Sequence, residues 1–368
     1  MNKRMITKTA ISLALLLTLT ACGNKKEDNR TVIKEPGKTI TIIENDSKDI
    51  VESNISVERI DKYEGVEISD WFDEDNVIVS KENQELKKMD LEELSQYYPR
   101  NLYLYNLNTK EYKLVKKQEN LFLGGAIFSK DKKHLLYYKY SLGDPSHFVM
   151  NMDTSKEFMI SGENIGGAYT ANWDDNENVM GASFAGGAYV ANTSGKISVI
   201  EELRGESFFL VEKIQDKIFY VINNTPSSEL WVLNLSTKEK KNLNIKNVDG
   251  ITPSPDRKQM LVFQGSDSKR SMILCDAEGN NIKTIAEGTE VVGASWSPDQ
   301  SKIAYSLKSA SNGSTSNGIY VYDMVTGKST QIAVNVVNAG SSWSPSGKKI
   351  AFTEALGEKY NSSIIHLK

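Results

Sequence analysis

Few of the residues that usually carry out chemistry occur in this chain, and their spacing favours no common reaction. The three histidines, His134, His147 and His366, are far apart, and His134 falls in a predicted strand. Such a set does not have the spacing of a metal site. The stretch from Gly181 to Gly186 is the nearest match to a Gly-x-Ser-x-Gly nucleophile elbow, but its spacing is wrong. We therefore predict no catalytic residue, no metal and no cofactor.

Two acidic turns, at residues 73–75 and 174–177, carry the oxygen ligands that Ca²⁺ prefers. Neither turn has the glycine and the distal glutamate of an EF-hand loop. Asp and Asn side chains also stabilise tight turns by bonding to the backbone. We interpret both segments as solvated turns between strands.

One cysteine lies in a sequence context that indicates covalent modification. A basic start is followed by an apolar run over residues 11–19, too short to span a bilayer, and then by the tetrapeptide LTAC, which ends at Cys22. This order resembles the signal peptide and lipobox of bacterial lipoproteins. The resemblance implies that residues 1–21 are removed and that Cys22 carries acyl chains such as palmitate, which anchor the chain at the extracytoplasmic face of the cell membrane. The alternative is an ordinary secretory signal with an incidental cysteine.

Charge and cysteine content limit the partners and the covalent structure. Removing residues 1–21 takes away three cations and leaves 41 basic and 48 acidic residues, so the net charge changes from −4 to −7. An acidic chain is repelled by phosphate, which argues against a nucleic-acid partner and against a polybasic membrane patch. With Cys22 modified, Cys275 is the one remaining thiol, and no internal disulfide can form. Its apolar neighbours predict that it is buried and unreactive.

The elements that would position a binding site repeat along the chain. Residues 296–305, WSPDQSKIAY, return at 343–352 as WSPSGKKIAF, each with an aromatic residue, a tight polar turn and an apolar strand. A third clear copy begins at Pro253, and weaker copies begin at Trp71, Phe128, Trp173 and Val211. A second pattern, two strands around an Asn or Asp turn, alternates with the first. Each repeat therefore holds four antiparallel strands, A to D, as in a propeller blade.

The repeats predict an all-β fold, a β-propeller of four-stranded antiparallel blades. We predict seven blades, with six or eight as alternatives. The last copy lacks a D strand, so a strand at residues 55–60 is expected to close the ring. The domains are then the signal peptide at 1–21, a lipid-anchored tether at 22–50 and the propeller at 51–368. The tryptophans at 71, 173, 296 and 343 occupy one position per blade and are expected to pack between blades.

The Trp-Ser-Pro-Asp/Ser pattern resembles the WD40-like (PD40) repeat of TolB-type β-propellers, and also the propeller domains of prolyl-oligopeptidase relatives. The match covers about residues 65–368, and it is clear only in the copies that begin at Pro253, Trp296 and Trp343. No length remains for the hydrolase domain of the oligopeptidases. The resemblance therefore implies a binding or scaffolding propeller.

Variable loops on one face of the ring are where binding is expected. The B–C and D–A loops share this face, and they include a long insertion at 81–101, with a helical turn over 89–94 capped by Asp90, and a mobile Ser/Asn/Gly-rich loop at 308–317. Tyr and Arg are favoured at binding hot spots. The candidate binding residues on these loops are Tyr97, Tyr98, Arg100, Tyr140, His147, Tyr169, Arg204 and Arg270.

Together these observations predict an extracytoplasmic lipoprotein, anchored in the cell membrane, whose propeller binds a protein or an envelope glycan without catalysis. The alternative is a carbohydrate-active or lactone-type enzyme with its site at the mouth of the propeller channel. Convergent carboxylates at the channel mouth would favour the enzyme. A wide aromatic and polar face would favour the binding module.

Overall fold

A computed structural model describes residues 30–35, 38–43, 55–222, 227–266, 268–311, 314–356 and 359–368. The predicted signal peptide, Cys22 and much of the predicted tether lie outside these residues. The first two strands, β1 (Arg30–Glu35) and β2 (Lys38–Ile43), pair with each other as an antiparallel hairpin. Within the described ranges, no helix is long and apolar enough to cross a membrane.

The other strands of the described chain form antiparallel groups of four, which we call quartets 1 to 7. Quartet 1 contains β4 (Val66–Trp71), β5 (Asn76–Glu82), β6 (Arg100–Asn106) and β7 (Tyr112–Lys116). Quartet 2 contains β8 (Phe122–Phe128), β9 (His134–Tyr140), β10 (Ser146–Asn151) and β11 (Glu157–Met159). One parallel pair, Arg100 with Phe122, joins these two quartets into an eight-stranded sheet.

Quartets 3 to 6 are separate four-stranded sheets in chain order. Quartet 3 contains β12 (Asn172–Trp173), β13 (Asn178–Ala182), β14 (Ala188–Asn192) and β15 (Ile197–Val199). Quartet 4 contains β16 (Phe208–Ile214), β17 (Lys217–Ile222), β18 (Leu230–Asn234) and β19 (Lys240–Asn242). Quartet 5 contains β20 (Val248–Pro253), β21 (Gln259–Gly265), β22 (Arg270–Asp276) and β23 (Lys283–Gly288). Quartet 6 contains β24 (Glu290–Trp296), β25 (Lys302–Ser311), β26 (Ser314–Asp323) and β27 (Ser329–Val334).

Quartet 7 combines the two ends of the described chain. It contains β28 (Gly340–Trp343), β29 (Lys349–Leu356), β30 (Lys359–Leu367) and the early strand β3 (Val57–Glu64). β3 pairs antiparallel with β30, from Val57 opposite Leu367 to Glu64 opposite Asn361. The strand that the sequence predicts at 55–60 is therefore observed at 57–64, beside the last repeat. The helical content is small, with short 3-10 helices at Glu92–Leu94 and Glu201–Leu203.

The second strand of each quartet is buried on both faces. Val77–Val79 in β5 and Met260–Val262 in β21 have no exposed surface at any of their residues. Because successive side chains of a strand point to opposite faces, such a run requires cover on both sides of the sheet. The quartets therefore pack face to face, which explains the continuous apolar runs that follow each aromatic turn in the sequence.

The repeated tryptophans connect neighbouring quartets through the same hydrogen bond. Each indole Nε1–H donates to a backbone carbonyl of the neighbouring quartet. The accepting residue lies just before the position in that quartet that corresponds to the tryptophan. The pairs are Trp173 with Ile127 at 2.9 Å, Trp296 with Thr252 at 3.3 Å, Trp343 with Ser295 at 3.1 Å and Trp71 with Ser342 at 3.3 Å. Trp71, Trp296 and Trp343 are buried as predicted, whereas Trp173 is partly exposed. The tryptophans are thus part of the packing between quartets.

The contacts between quartets follow the chain and return from the last quartet to the first. The Trp71–Ser342 bond already joins quartets 1 and 7. In the same junction the Ile68 amide donates to Ser362 Oγ at 2.9 Å, and Thr353 Oγ1 donates to the Ile68 carbonyl at 3.0 Å. β4, the first strand of quartet 1, is therefore bonded to both β29 and β30 of quartet 7.

Two expectations about the loops are wrong. The segment at 308–317 is predicted as a loop, but β25 covers residues 308–311, β26 covers residues 314–317, and the two strands pair as far as Ser311 opposite Ser314. Asp90 does not cap a helix, since Leu91 occupies the position before the 3-10 helix and no side chain caps it. The Asp90 carboxylate instead accepts a hydrogen bond from Asn120, thirty residues later, a contact that local sequence does not reveal.

The prediction for Cys275 is confirmed. Its side chain is buried within β22, and burial, with the nearby Asp276 carboxylate as a smaller cause, raises the pKa of the thiol to about 12. The thiolate, which is the reactive form, is therefore disfavoured at neutral pH.

Candidate functional site

A cavity of about 320 Å³ lies where quartets 7, 1 and 2 meet. The first strands of these three quartets supply most of its wall: β4 through Glu67 and Ser69, β8 through Gly125 and Ile127, and β28 through residues 340–342. β29 and β30 add Thr353, Ala355 and Tyr360. The cavity therefore depends on residues from both ends of the chain.

Glu67 is the one charged residue that lines this cavity in the described chain. Its Oε1 atom accepts two long hydrogen bonds, from the Gly125 amide at 3.3 Å and from Ser69 Oγ at 3.5 Å. Burial raises the pKa of the Glu67 carboxyl above its usual value, and the positive charge of Arg100 opposes this shift. The side chain is thus a partly buried carboxylate whose hydrogen-bond donors are few and distant.

Arg100 supplies the positive charge that favours the ionised form of Glu67. It is only 3% exposed, at the start of β6. Its Nε donates to Ser80 Oγ at 3.1 Å and its Nη2 to the Ser80 carbonyl at 2.6 Å, while its guanidinium stacks on the Tyr360 ring at 4.6 Å. The prediction of Arg100 as an exposed loop residue is therefore wrong. Strand β6 begins there because Arg100 pairs with Glu82 of β5.

Tyr138 packs beside this pair on a surface formed by two glycines. A Cβ atom at Gly124 or Gly125 would clash with the Tyr138 ring, and Gly125 has a positive φ of 56°. Both features require glycine at position 125. Burial and the Glu67 charge raise the pKa of the Tyr138 hydroxyl, which therefore stays protonated at neutral pH.

Three of the predicted binding residues belong to one continuous series of aromatic rings that runs outward from Tyr138. The centroid distances are 6.3 Å from Tyr138 to His147, 5.7 Å from Tyr138 to Tyr140, 5.2 Å from Tyr140 to Phe122 and 6.4 Å from Phe122 to Tyr97. Tyr140 and His147 lie in β9 and β10 and not in a loop. The series supports the wall of the cavity from the side of quartet 2.

His147 is held as a neutral ring in this series. Its Nδ1 lies 3.2 Å from the Ala168 carbonyl, which fixes Nδ1 as the protonated nitrogen of a neutral imidazole. Burial lowers the pKa of His147, and the Ala168 hydrogen bond opposes this effect. The ring therefore packs as an aromatic group at neutral pH.

The other four predicted residues lie apart from the cavity. Tyr98 is partly exposed under the Lys88 ammonium, and Tyr169 is 43% exposed against Phe184. Arg204 is exposed and bonds to Glu201, with Nε to Oε2 at 2.8 Å. Arg270 begins β22, not a loop, and forms an ion pair with Asp249. The structure does not bring these four residues together with the rest.

The candidate residues predicted from the sequence do not include Glu67, Tyr138 and Tyr360, because the prediction concerns the loops, whereas these three residues lie in β4, β9 and β30. One signal for Glu67 was present: a carboxylate among the apolar residues of a predicted inner strand is uncommon and costs desolvation energy. Nothing local indicates Tyr360, since its contact with Arg100 links residues that are far apart in the chain.

A second buried carboxylate lies away from the cavity wall. Glu212 of β16 is 8% exposed, and Asn172 Nδ2 donates to its Oε1 at 2.5 Å. Burial raises the pKa of Glu212 to about 7, with Arg257 opposing and Asp174 adding to the shift. Within the part of the chain that the structure describes, no group of three His, Cys, Asp or Glu side chains could hold a metal ion.

Comparison with known proteins places the chain among β-propellers. No protein-family model and no curated protein matches it. Among solved structures, it is similar to an oligogalacturonate lyase in complex with manganese, with 12% identity and a TM-score of 0.61 over 92% of this chain and 96% of that chain. It is also similar to the β-propeller domain of Cps50 (Swd1) from Myceliophteria thermophila, with 10% identity and a TM-score of 0.54 over 84% of this chain and 99% of the other.

A TolB from Acinetobacter baumannii also matches, with 13% identity and a TM-score of 0.46 over 80% of this chain and 65% of that one. At these identities, the likeness to the lyase and to Cps50 shows the fold alone. The chain is an all-β protein of four-stranded antiparallel sheets with the fold of a β-propeller.

We predict that Arg100 matters more for stability than an exposed arginine. Replacing Arg100 with Met should lower the free energy of unfolding by about 2–4 kcal/mol, because Ser80 loses its donors and Glu67 loses its nearby cation. The matched change Arg204→Met should leave the free energy of unfolding almost unchanged, since that ion pair is exposed. Urea unfolding followed by tryptophan fluorescence measures both values. Equal effects of the two substitutions would contradict this assignment.

Proposed function

We propose that the protein is an extracytoplasmic lipoprotein whose β-propeller binds a ligand, without catalysis, in the cavity beside Glu67. The observation that carries the proposal is a cavity of about 320 Å³ with a single, partly buried carboxylate in its wall. A pocket of this volume, with apolar residues, several hydroxyl groups and one carboxylate in its wall, has the form of a small-molecule or side-chain site. The ligand is then a segment of an envelope glycan or of a protein.

The same proposal includes a ring of seven blades closed by β3. Each quartet is one blade, and quartet 7 is completed by the strand that opens the described propeller. The bonds from Trp71 to Ser342 and from Ile68 to Ser362 support closure, because they join the first and last quartets. With β3 beside it, β30 is paired on both sides and has no exposed edge.

The proposed location at the cell membrane rests on the sequence before residue 30. The basic start, the apolar run and the lipobox ending at Cys22 support lipid attachment at the cell membrane. A chain anchored in this way carries its propeller on the extracytoplasmic side, where protein and glycan partners of the envelope are accessible.

A second candidate is an enzyme of the carbohydrate-active or lactone type. It is favoured by the raised pKa values of Glu67 and Glu212, since carboxylates with shifted pKa values cluster at active sites. The fold also occurs in an oligogalacturonate lyase. Turnover of a polysaccharide or lactone by the parent protein, with loss of turnover in Glu67→Gln, would establish this alternative.

The cavity can be blocked by a substitution that the backbone tolerates. Gly340 lines the cavity, and a Cβ atom there would meet no atom within 4 Å. Gly340→Trp should therefore fill the cavity with little effect on folding. Immobilised propeller would be incubated with a solubilised envelope fraction, and the bound material quantified by mass spectrometry. We expect the parent protein to retain a ligand that Gly340→Trp does not.

Gly162→Trp is the matched control for this experiment. Gly162 also has no atom within 4 Å of an added Cβ, and it lies outside the residues that line the cavity. The control should retain the same material as the parent protein. Equal retention by the parent and by Gly340→Trp would place binding elsewhere and contradict the proposal.

Lipid attachment is tested separately. Cys22→Ser removes the thiol that would carry the acyl chains, so the variant should remain unprocessed or be found outside the membrane fraction. Membrane fractionation and labelling with a radioactive or clickable palmitate analogue provide the measurements. A variant that is labelled and fractionates like the parent protein would contradict the lipoprotein assignment.

A further inference from the structure

We infer that the cavity recognises a primary ammonium group, with the Glu67 carboxylate as its counter-ion. The inference rests on the proposed function and specifies the ligand chemistry of the same cavity. An ammonium group occurs both in amino sugars and in peptide amines such as the lysine side chain. The inference concerns the ammonium group that both ligands share, and binding experiments with both kinds of amine distinguish the amino sugar from the peptide amine.

The first argument is the charge of the wall. Glu67 is the one charged group among the described residues that line the cavity, so an anionic ligand would be repelled. Arg100 is too buried to contact a ligand, and its guanidinium is occupied by Ser80 and by the Tyr360 ring. The charge that a ligand meets is therefore negative.

The second argument is unfilled hydrogen-bonding capacity. A carboxylate can accept about four hydrogen bonds. In the described structure Glu67 accepts two, both long and both at Oε1. An ammonium group brings three N–H donors and a positive charge, whereas a hydroxyl brings one donor and no charge. Because the site is partly buried, the charged donor gains more from the contact.

The third argument is that several hydroxyl groups of the wall already donate to protein acceptors, so that Glu67 is the group with free accepting capacity and a charge. Ser341 Oγ donates to the Gly293 carbonyl at 2.7 Å, and Thr353 Oγ1 donates to the Ile68 carbonyl at 3.0 Å. The rest of the wall contains apolar residues, glycines and the neutral hydroxyl groups of Ser342 and Tyr360. Discrimination between a charged and a neutral ligand group therefore depends on Glu67.

The experiment uses two pairs of probes that differ only by acetylation of the amine. The first pair is glucosamine and N-acetylglucosamine. The second is Nα-acetyl-lysine methylamide and its Nε-acetylated form. Saturation-transfer NMR and titration calorimetry on the folded propeller would measure binding. We expect at least one free amine to bind and its acetylated partner to bind at least about tenfold more weakly.

The variants assign the effect to Glu67. Glu67→Gln keeps the shape and removes the charge, so it should weaken amine binding at least about tenfold. Gly340→Trp should abolish binding without altering Glu67, which keeps the test valid if Glu67→Gln unfolds. Gly162→Trp should bind like the parent protein. The pair that shows discrimination identifies the source, amino sugar or peptide amine.

Three results would overturn the inference. They are equal binding of the free and acetylated forms, unchanged amine binding in Glu67→Gln, and absence of binding by both free amines to the parent protein. None of these results decides the proposed function, which depends on the loss of envelope material in Gly340→Trp. Failure of the ammonium inference and failure of the binding proposal are therefore distinguishable.

Discussion

The junction between the first and last quartets is the contact on which the rest of the structure depends. A four-stranded sheet with apolar residues on both faces is stable only when a neighbour covers each face. Interior quartets have neighbours on both sides by chain order, but the two terminal ones must cover each other. The Trp71 indole, the Ile68 amide and the pairing of β3 with β30 form this cover. The cavity beside Glu67 lies in the same junction.

Charge balance at the cavity follows from this packing. Glu67 would be costly to bury alone, and Arg100 lowers that cost without forming a hydrogen bond that saturates it. Arg100 is in turn fixed by Ser80 of β5 and by Tyr360 of β30. Quartets 1 and 7 therefore hold the charge pair in place, while Tyr138 and its aromatic neighbours provide the support from quartet 2.

The repeat pattern was sufficient to predict the class of fold, the aromatic positions and the strand before residue 65, because turn chemistry and strand patterns are local. The site was only partly predictable. Residue type predicts Tyr97, Tyr140 and His147, which belong to the aromatic series beside the cavity. Arg100 is predicted on the surface, because the long insertion hides the start of β6. Glu67 and Tyr360 come together only through the junction of quartets 1 and 7, which no local pattern encodes.

The most direct test of this account compares two shortened propellers, one beginning at residue 55 and one at residue 65. The first keeps β3 and the second lacks it. If β3 completes the last quartet, the shorter protein should lose several kcal/mol of unfolding free energy, and the amides of β30 should lose protection from hydrogen exchange. Equal stability and equal protection of β30 in the two proteins would contradict the central claim.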